Sequence, residues 1–231
     1  MSNYWRYSRS AYYSAVAALP LLVIYEILIV LSQSQYWGIR NAADVWIRNF
    51  LMAFDLKAQH ITFVLIAISL VLIPIAKSRA SGIKLKAHYF VLMFAESFAF
   101  SLFLGIFLQS ILRLSGLSSS GDGIGLIQNL ALSIGAGLFE EIIFRVILLN
   151  LLFLLLRPIF KKTVVAAIIS VLLASFLFSL SHYVGSIADT WQLYSFMFRW
   201  AAGLLFTVLY FIRGFAITAY THALYDIWVL T

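Results

Sequence analysis

The chain has no cysteine, only three prolines and few charges. Without cysteine there are no disulfides, no thiolate zinc sites and no cysteine nucleophile. Charged residues make up 11% of the chain, where a soluble domain carries about 25%. That scarcity excludes an ordinary water-soluble fold. What fills the sequence is apolar: 63% hydrophobic residues and a mean hydropathy of +0.98. The net charge of +7 does not point to nucleic acid. The basic residues cluster in short loops between apolar runs, where they act as topology signals and attract anionic headgroups. No internal repeat is visible.

Length and hydropathy predict an all-α, polytopic transmembrane helical bundle of about seven or eight membrane helices. The predicted spans are 12–32, 60–76, 88–113, 127–156, 164–183, 191–211 and 214–230. The fourth is longer than a bilayer needs, so it tilts or begins in the interface. Between the first two, residues 34–59 mix apolar and polar residues at helical spacing, as in a helix lying on the membrane surface or a re-entrant piece. The basic N-terminus ahead of the first span reads as an uncleaved signal anchor. Residues 1–231 are expected to form a single integral membrane domain. The excess of Lys and Arg on one side places the N-terminus inside and the C-terminus outside. A bacterial inner membrane with a cytoplasmic N-terminus is the expected location. The segment Gly116–Gly125 reads as an outer connector before the fourth span.

Against this apolar background a few charges stand out. Glu140, Glu141 and Arg145 lie within the run LFEEIIFRVILL. A charged side chain at the bilayer centre costs roughly 2.5–3.5 kcal/mol even on insertion scales. Three within six residues are tolerated only if they face protein, water or each other. On an α-helix Glu141 and Arg145 stack one turn apart and pair, which leaves Glu140 pointing elsewhere, without that partner. A carboxylate in such a pocket suits a general base. Further on, Phe178 and His182 share a helix face at i and i+4, as do His222 and Asp226. His222 lies deep in its span; His182 is nearer the outer surface. An ion cluster and a local His–Asp hydrogen bond are the purely structural alternatives. Glu26 and Glu96, also in apolar spans, are expected to make helix-to-helix hydrogen bonds or to snorkel, with a part in substrate access as the alternative.

The three motifs in order, Glu140-Glu141-x-x-x-Arg145, Phe178-x-x-x-His182 and His222-x-x-x-Asp226, resemble the CPBP family of CAAX-protease and bacteriocin-processing intramembrane proteases. The resemblance covers roughly 127–230, which makes 127–231 the catalytic core and 1–126 N-terminal spans with an interfacial segment. It implies peptide-bond hydrolysis in the membrane by an intramembrane protease. Glu140 would be the general base and His182 would help hold and polarise water. Glu141, Arg145 and Phe178 would support them, and His222 and Asp226 would face the oxyanion. Asp226 departs from the asparagine of the better-understood CAAX enzymes. An ionised aspartate cannot donate to an oxyanion. It either is protonated, orients His222, or helps bind metal. A metal-free glutamate mechanism is favoured. Zinc held by Glu140, His182 and His222 is the alternative. The expected partners are a membrane-embedded or lipid-linked protein substrate and the lipid bilayer, with no nucleic acid.

Two other classes compete. A non-enzymatic immunity or assembly factor on the same fold predicts that Glu140→Gln keeps function. A small transporter would use the same groups as a proton relay. Against it stand the missing repeat and the missing pair of broken helices.

Overall fold

The computed structural model describes residues 3–36, 39–114, 125–185 and 188–230. Among these the chain is helical throughout, with no strand. The elements are α1 (Asn3–Ser8), α2 (Ala11–Tyr36), α3 (Ala42–Met52), α4 (Ala58–Arg79), α5 (Ala87–Leu114) and α6 (Leu126–Gly135). A π-helical segment (Ala136–Leu148) follows, then α7 (Leu149–Leu156), α8 (Thr163–Ser181), α9 (Leu193–Arg213) and α10 (Phe215–Leu230). Most of the segment Gly116–Gly125 lies outside the described residues.

Five helical stretches are long and apolar enough to cross a membrane: Ala11–Ser32, Ala58–Arg79, Ala87–Leu108, Thr163–Ser181 and Leu193–Arg213. They coincide with five of the predicted spans. The stretch 126–156 is also helical from end to end, but its hydrogen bonding changes from α to π at Ala136 and back at Leu149. No single element there reaches the length of a span. Helix α10 has 16 residues, about 24 Å at 1.5 Å per residue. Among the described residues the structure therefore supports an integral membrane protein with five such helices, and it does not by itself establish the seven or eight expected.

The chain divides into two compact units: Met1–Glu140 with Arg213–Thr231, and Glu141–Ile212. In the first, α2 packs against α4, α6 and α10, and α5 packs against α10. Its core is rich in tyrosine: Tyr7, Tyr13 and Tyr89 pack with Ala17, Met93, Ala216 and Ile217. Each buried hydroxyl needs an acceptor. Tyr13 donates to the Lys84 carbonyl at 2.9 Å and Tyr7 to that of Gly82 at 3.0 Å. Arg213, fully buried, ends α9 and pairs with Glu96, donates to Ser8 Oγ at 2.9 Å and covers the Trp5 ring. Burial and then Glu96 push the Tyr4 phenol up. Gly214, at φ +80°, breaks α9 from α10 and lies against the Arg9 backbone. Helix α4 fully buries only Ile61; its other apolar side chains are half-buried or exposed, as suits a helix with one side to lipid.

Helix α3 departs from the sequence expectation. It is a separate short helix, as the mixed periodicity of 34–59 suggests, but its polar residues are not turned to water. Asp44 and Arg48 are buried. Arg40 and Arg48 both pair with Glu26 and with Asp44. Thr62 donates to Glu26 at 3.0 Å, and Tyr25 donates to Asp44 at 2.8 Å. Two carboxylates and two guanidiniums sum to zero charge, which makes the burial affordable. Burial pulls the Arg40 pKa down, and the Glu26 and Asp44 carboxylates outweigh it, so the net shift is upward. Glu26 and Glu96 thus do make the inter-helix hydrogen bonds expected of them, with arginine as partner.

In the second unit α7 packs on α8. Helices α8 and α9 meet through small residues. A Cβ at Gly203 would lie 3.0 Å from the Phe178 ring and 3.3 Å from Ser175 Cβ. Ser179 donates to the Phe196 carbonyl at 2.6 Å. Small residues and hydroxyls are how helices pack where water gives no hydrophobic drive.

Close approach is tightest in the first unit at Gly137. A Cβ there would collide with the Ala219 carbonyl and stand 2.7 Å from both the backbone N and the Cβ of Ala223. The clash is with backbone, which cannot swing aside. Gly137→Ala is expected to lower stability by about 1–3 kcal/mol. Gly105→Ala, where nothing lies within 4 Å, should leave it unchanged. Thermal unfolding of the two variants in bicelles tests the pair.

Candidate active site

The π segment carries the acidic pair. Bonding from i to i+5 widens the turn, and such stretches recur at functional sites. Of the acidic pair, Glu140 belongs to the first unit and Glu141 to the second.

Glu140 is 9% exposed. The sequence left it without a partner, and this is corrected by the structure. Asn41 Nδ2 donates to its Oε1 at 2.8 Å. His222 Nε2 stands 4.0 Å from its Oε2. The same Nε2 lies 3.6 Å from Asp226 Oδ2, one turn along α10. That separation is beyond a true hydrogen bond. The local His–Asp bond expected at this spacing is thus loosened, and the imidazole nitrogen looks toward two carboxylates. His222 is buried and Asp226 half-buried. Glycine at 137 permits this, because only without a Cβ does the π segment reach the α10 backbone one turn before His222.

In the second unit Arg145 Nη1 pairs with Glu141 Oε1 at 3.0 Å, as the sequence predicts. Both side chains are essentially fully buried. Arg145 also donates to the Gly203 carbonyl at 3.3 Å and lies 4.5 Å from the Phe178 ring centroid. Phe178 therefore supports the arginine from α8 through a cation–π contact. His182 ends α8 with its ring 5.2 Å from that of Phe178. Its Nδ1 is 3.0 Å from the Phe178 carbonyl oxygen. A carbonyl only accepts, so Nδ1 carries the proton, and in the neutral ring Nε2 is the basic nitrogen.

The structure thus gathers Glu140, His222 and Asp226 in one unit, and Glu141, Arg145, Phe178 and His182 in the other. It also adds residues that sequence reading passed over. Arg40, Asp44 and Arg48 repeat every four residues, and that spacing was a visible sign of an ion ladder. Nothing in the spacing pointed to Asn41, which lies 99 positions from Glu140.

A guanidinium deep in an apolar setting holds its carboxylate at the cost of depending on it. Arg145→Met strands Glu141 and should destabilise the protein by about 3–5 kcal/mol. Adding Glu141→Gln should recover most of that loss. Thermal unfolding of the single and double variants in bicelles decides whether the two are coupled.

Residues 123–228 match a family model described as type II CAAX prenyl endopeptidase Rce1-like. Glu140, Glu141, Arg145, Phe178, His182, His222 and Asp226 all fall inside that stretch, and Asn41 lies outside it. No curated protein and no solved structure matches the chain. Over residues 123–228 the chain is thus similar to the Rce1-like type II CAAX prenyl endopeptidases, a family of proteases.

Proposed function

We propose that the protein is a glutamate-dependent intramembrane endopeptidase. It cuts a membrane-embedded or lipid-linked protein near a hydrophobic terminal segment. The observation that carries this reading is the buried pairing of Glu140 with His222 inside the protease-family stretch. A gap of 4.0 Å is too long for a direct hydrogen bond. In this reading a water hydrogen-bonded to both groups bridges them.

In this mechanism Glu140 Oε2 takes a proton from that water, and the oxygen attacks the scissile carbonyl. His222 Nε2, bordered by two carboxylates, carries a proton and donates it as a hydrogen bond to the developing oxyanion. Asp226 keeps the imidazole turned that way, a part that an acidic residue can fill as well as asparagine. When the tetrahedral intermediate collapses, Glu140 returns its proton to the leaving amine. On the family's pattern we assign His182 a part in polarising water. Its basic Nε2, set by the Nδ1–H bond to Phe178, supports that assignment. The Glu141–Arg145 pair keeps the second carboxylate out of the chemistry. No metal is required by this scheme. The membrane is the inner membrane of a bacterium, with the N-terminus cytoplasmic.

Removing the base should cost about 10²–10⁴-fold in rate. Chain termini of membrane and exported proteins are to be compared between cells carrying wild type and cells carrying Glu140→Gln. A small set of precursors should keep an uncut hydrophobic segment in the mutant. If no terminus differs while the wild-type phenotype persists, the protein is a non-enzymatic partner instead. Cleavage in membranes treated with 1,10-phenanthroline should continue; loss that added zinc restores would move the mechanism to a metal.

A further inference from the structure

The glutamate read as the base is gripped from a part of the chain outside the family match. Asn41 precedes α3 and caps it: its Oδ1 accepts the Ala43 N–H at 2.9 Å. That bond fixes the carboxamide's orientation, since oxygen toward Ala43 leaves Nδ2 for Glu140 Oε1 at 2.8 Å. The Asn41 backbone is held too. Its N–H donates to Tyr25 Oη at 3.3 Å, and that hydroxyl donates to Asp44 at 2.8 Å. Asp44 belongs to the neutral cluster with Arg40, Arg48 and Glu26 that anchors α3 to α2. Gly135, before the π segment, leaves room for the approach. A Cβ there would stand 2.6 Å from the Tyr25 ring and 3.0 Å from Asn41 Cβ.

Resting on the reading of Glu140 as general base, we propose that Asn41 is the positioning residue of that base: it pins Oε1 so that Oε2 is the oxygen that meets water. A carboxylate free to rotate presents either oxygen, in many orientations. One pinned through a capped asparagine presents a single oxygen in one direction. An amide donor does this without supplying a positive charge that would tie the carboxylate up. The α3 ion cluster then has a purpose beyond stability, because it keeps the cap, and hence the donor, in register with the π segment.

The test separates the cap from the donor. Serine caps a helix as well as asparagine but is too short to reach Glu140. The full chain is reconstituted in phosphatidylethanolamine–phosphatidylglycerol vesicles. The substrate is a precursor that accumulates in Glu140→Gln cells. Asn41→Ser should melt like wild type, keep KM and lose about 10- to 100-fold in kcat, the scale of a misplaced catalytic group. Asn41→Ala, which loses the cap as well, should lose the same kcat and also melt lower. If Asn41→Ser proves unstable, Tyr25→Phe, which loosens the Asn41 backbone and leaves its amide intact, should lower kcat at constant KM. Wild-type kcat in a folded Asn41→Ser, or failing that in Tyr25→Phe, overturns the proposal while a dead Glu140→Gln leaves the protease reading standing. If Glu140→Gln itself still cleaves, or no precursor accumulates, the reading of the base falls and the positioning role falls with it.

Discussion

A charge inside an apolar bundle has no water to fall back on, so every buried ion must be met by protein. Much of this structure follows from that demand. Glu26 and Asp44 are matched by Arg40 and Arg48. Arg213 is matched by Glu96, and Glu141 by Arg145. Each set closes locally, and each ties helices together or fastens one in place. Glu140 is treated differently. Its described contacts are a carboxamide and an imidazole rather than a guanidinium. Two adjacent glutamates thereby meet different surroundings.

The second requirement is proximity of backbones. Small residues let helices approach where there is no hydrophobic force between them. Gly137 brings the π segment onto α10, Gly135 brings it under Tyr25 and Asn41, and Gly203 opens a place for Phe178. None of these glycines has a positive φ, so their value is space rather than conformational freedom. The π hydrogen bonding adds a wider turn at the point where the acidic pair sits. A side chain such as Asn41, supplied from far away in sequence, then reaches a carboxylate that a regular α-helix would orient otherwise.

The sequence by itself determined the solvent and which polar residues stand out against it. Scarce charge and long apolar runs required a helical membrane protein, because only helices and closed barrels satisfy their backbone there. Charges that survive in such runs must find partners within the protein. Spacing four apart sufficed for Glu141 with Arg145, Phe178 with His182, and the neighbourhood of His222 and Asp226. Each is local, and a helix converts sequence distance to spatial distance almost without ambiguity. Hydropathy likewise located five crossing helices, yet it could not see the change from α to π bonding in 126–156, which depends on backbone packing. It read residues 34–59 as a surface helix or a re-entrant piece because apolar and polar residues mix there at helical spacing. Only tertiary structure decided that those residues face inward, where Glu26 and Tyr25 supply the partners that water would have supplied. Only tertiary structure joined Asn41 to Glu140, since a contact across 99 positions leaves no periodic trace, and no single helix contains both ends of it.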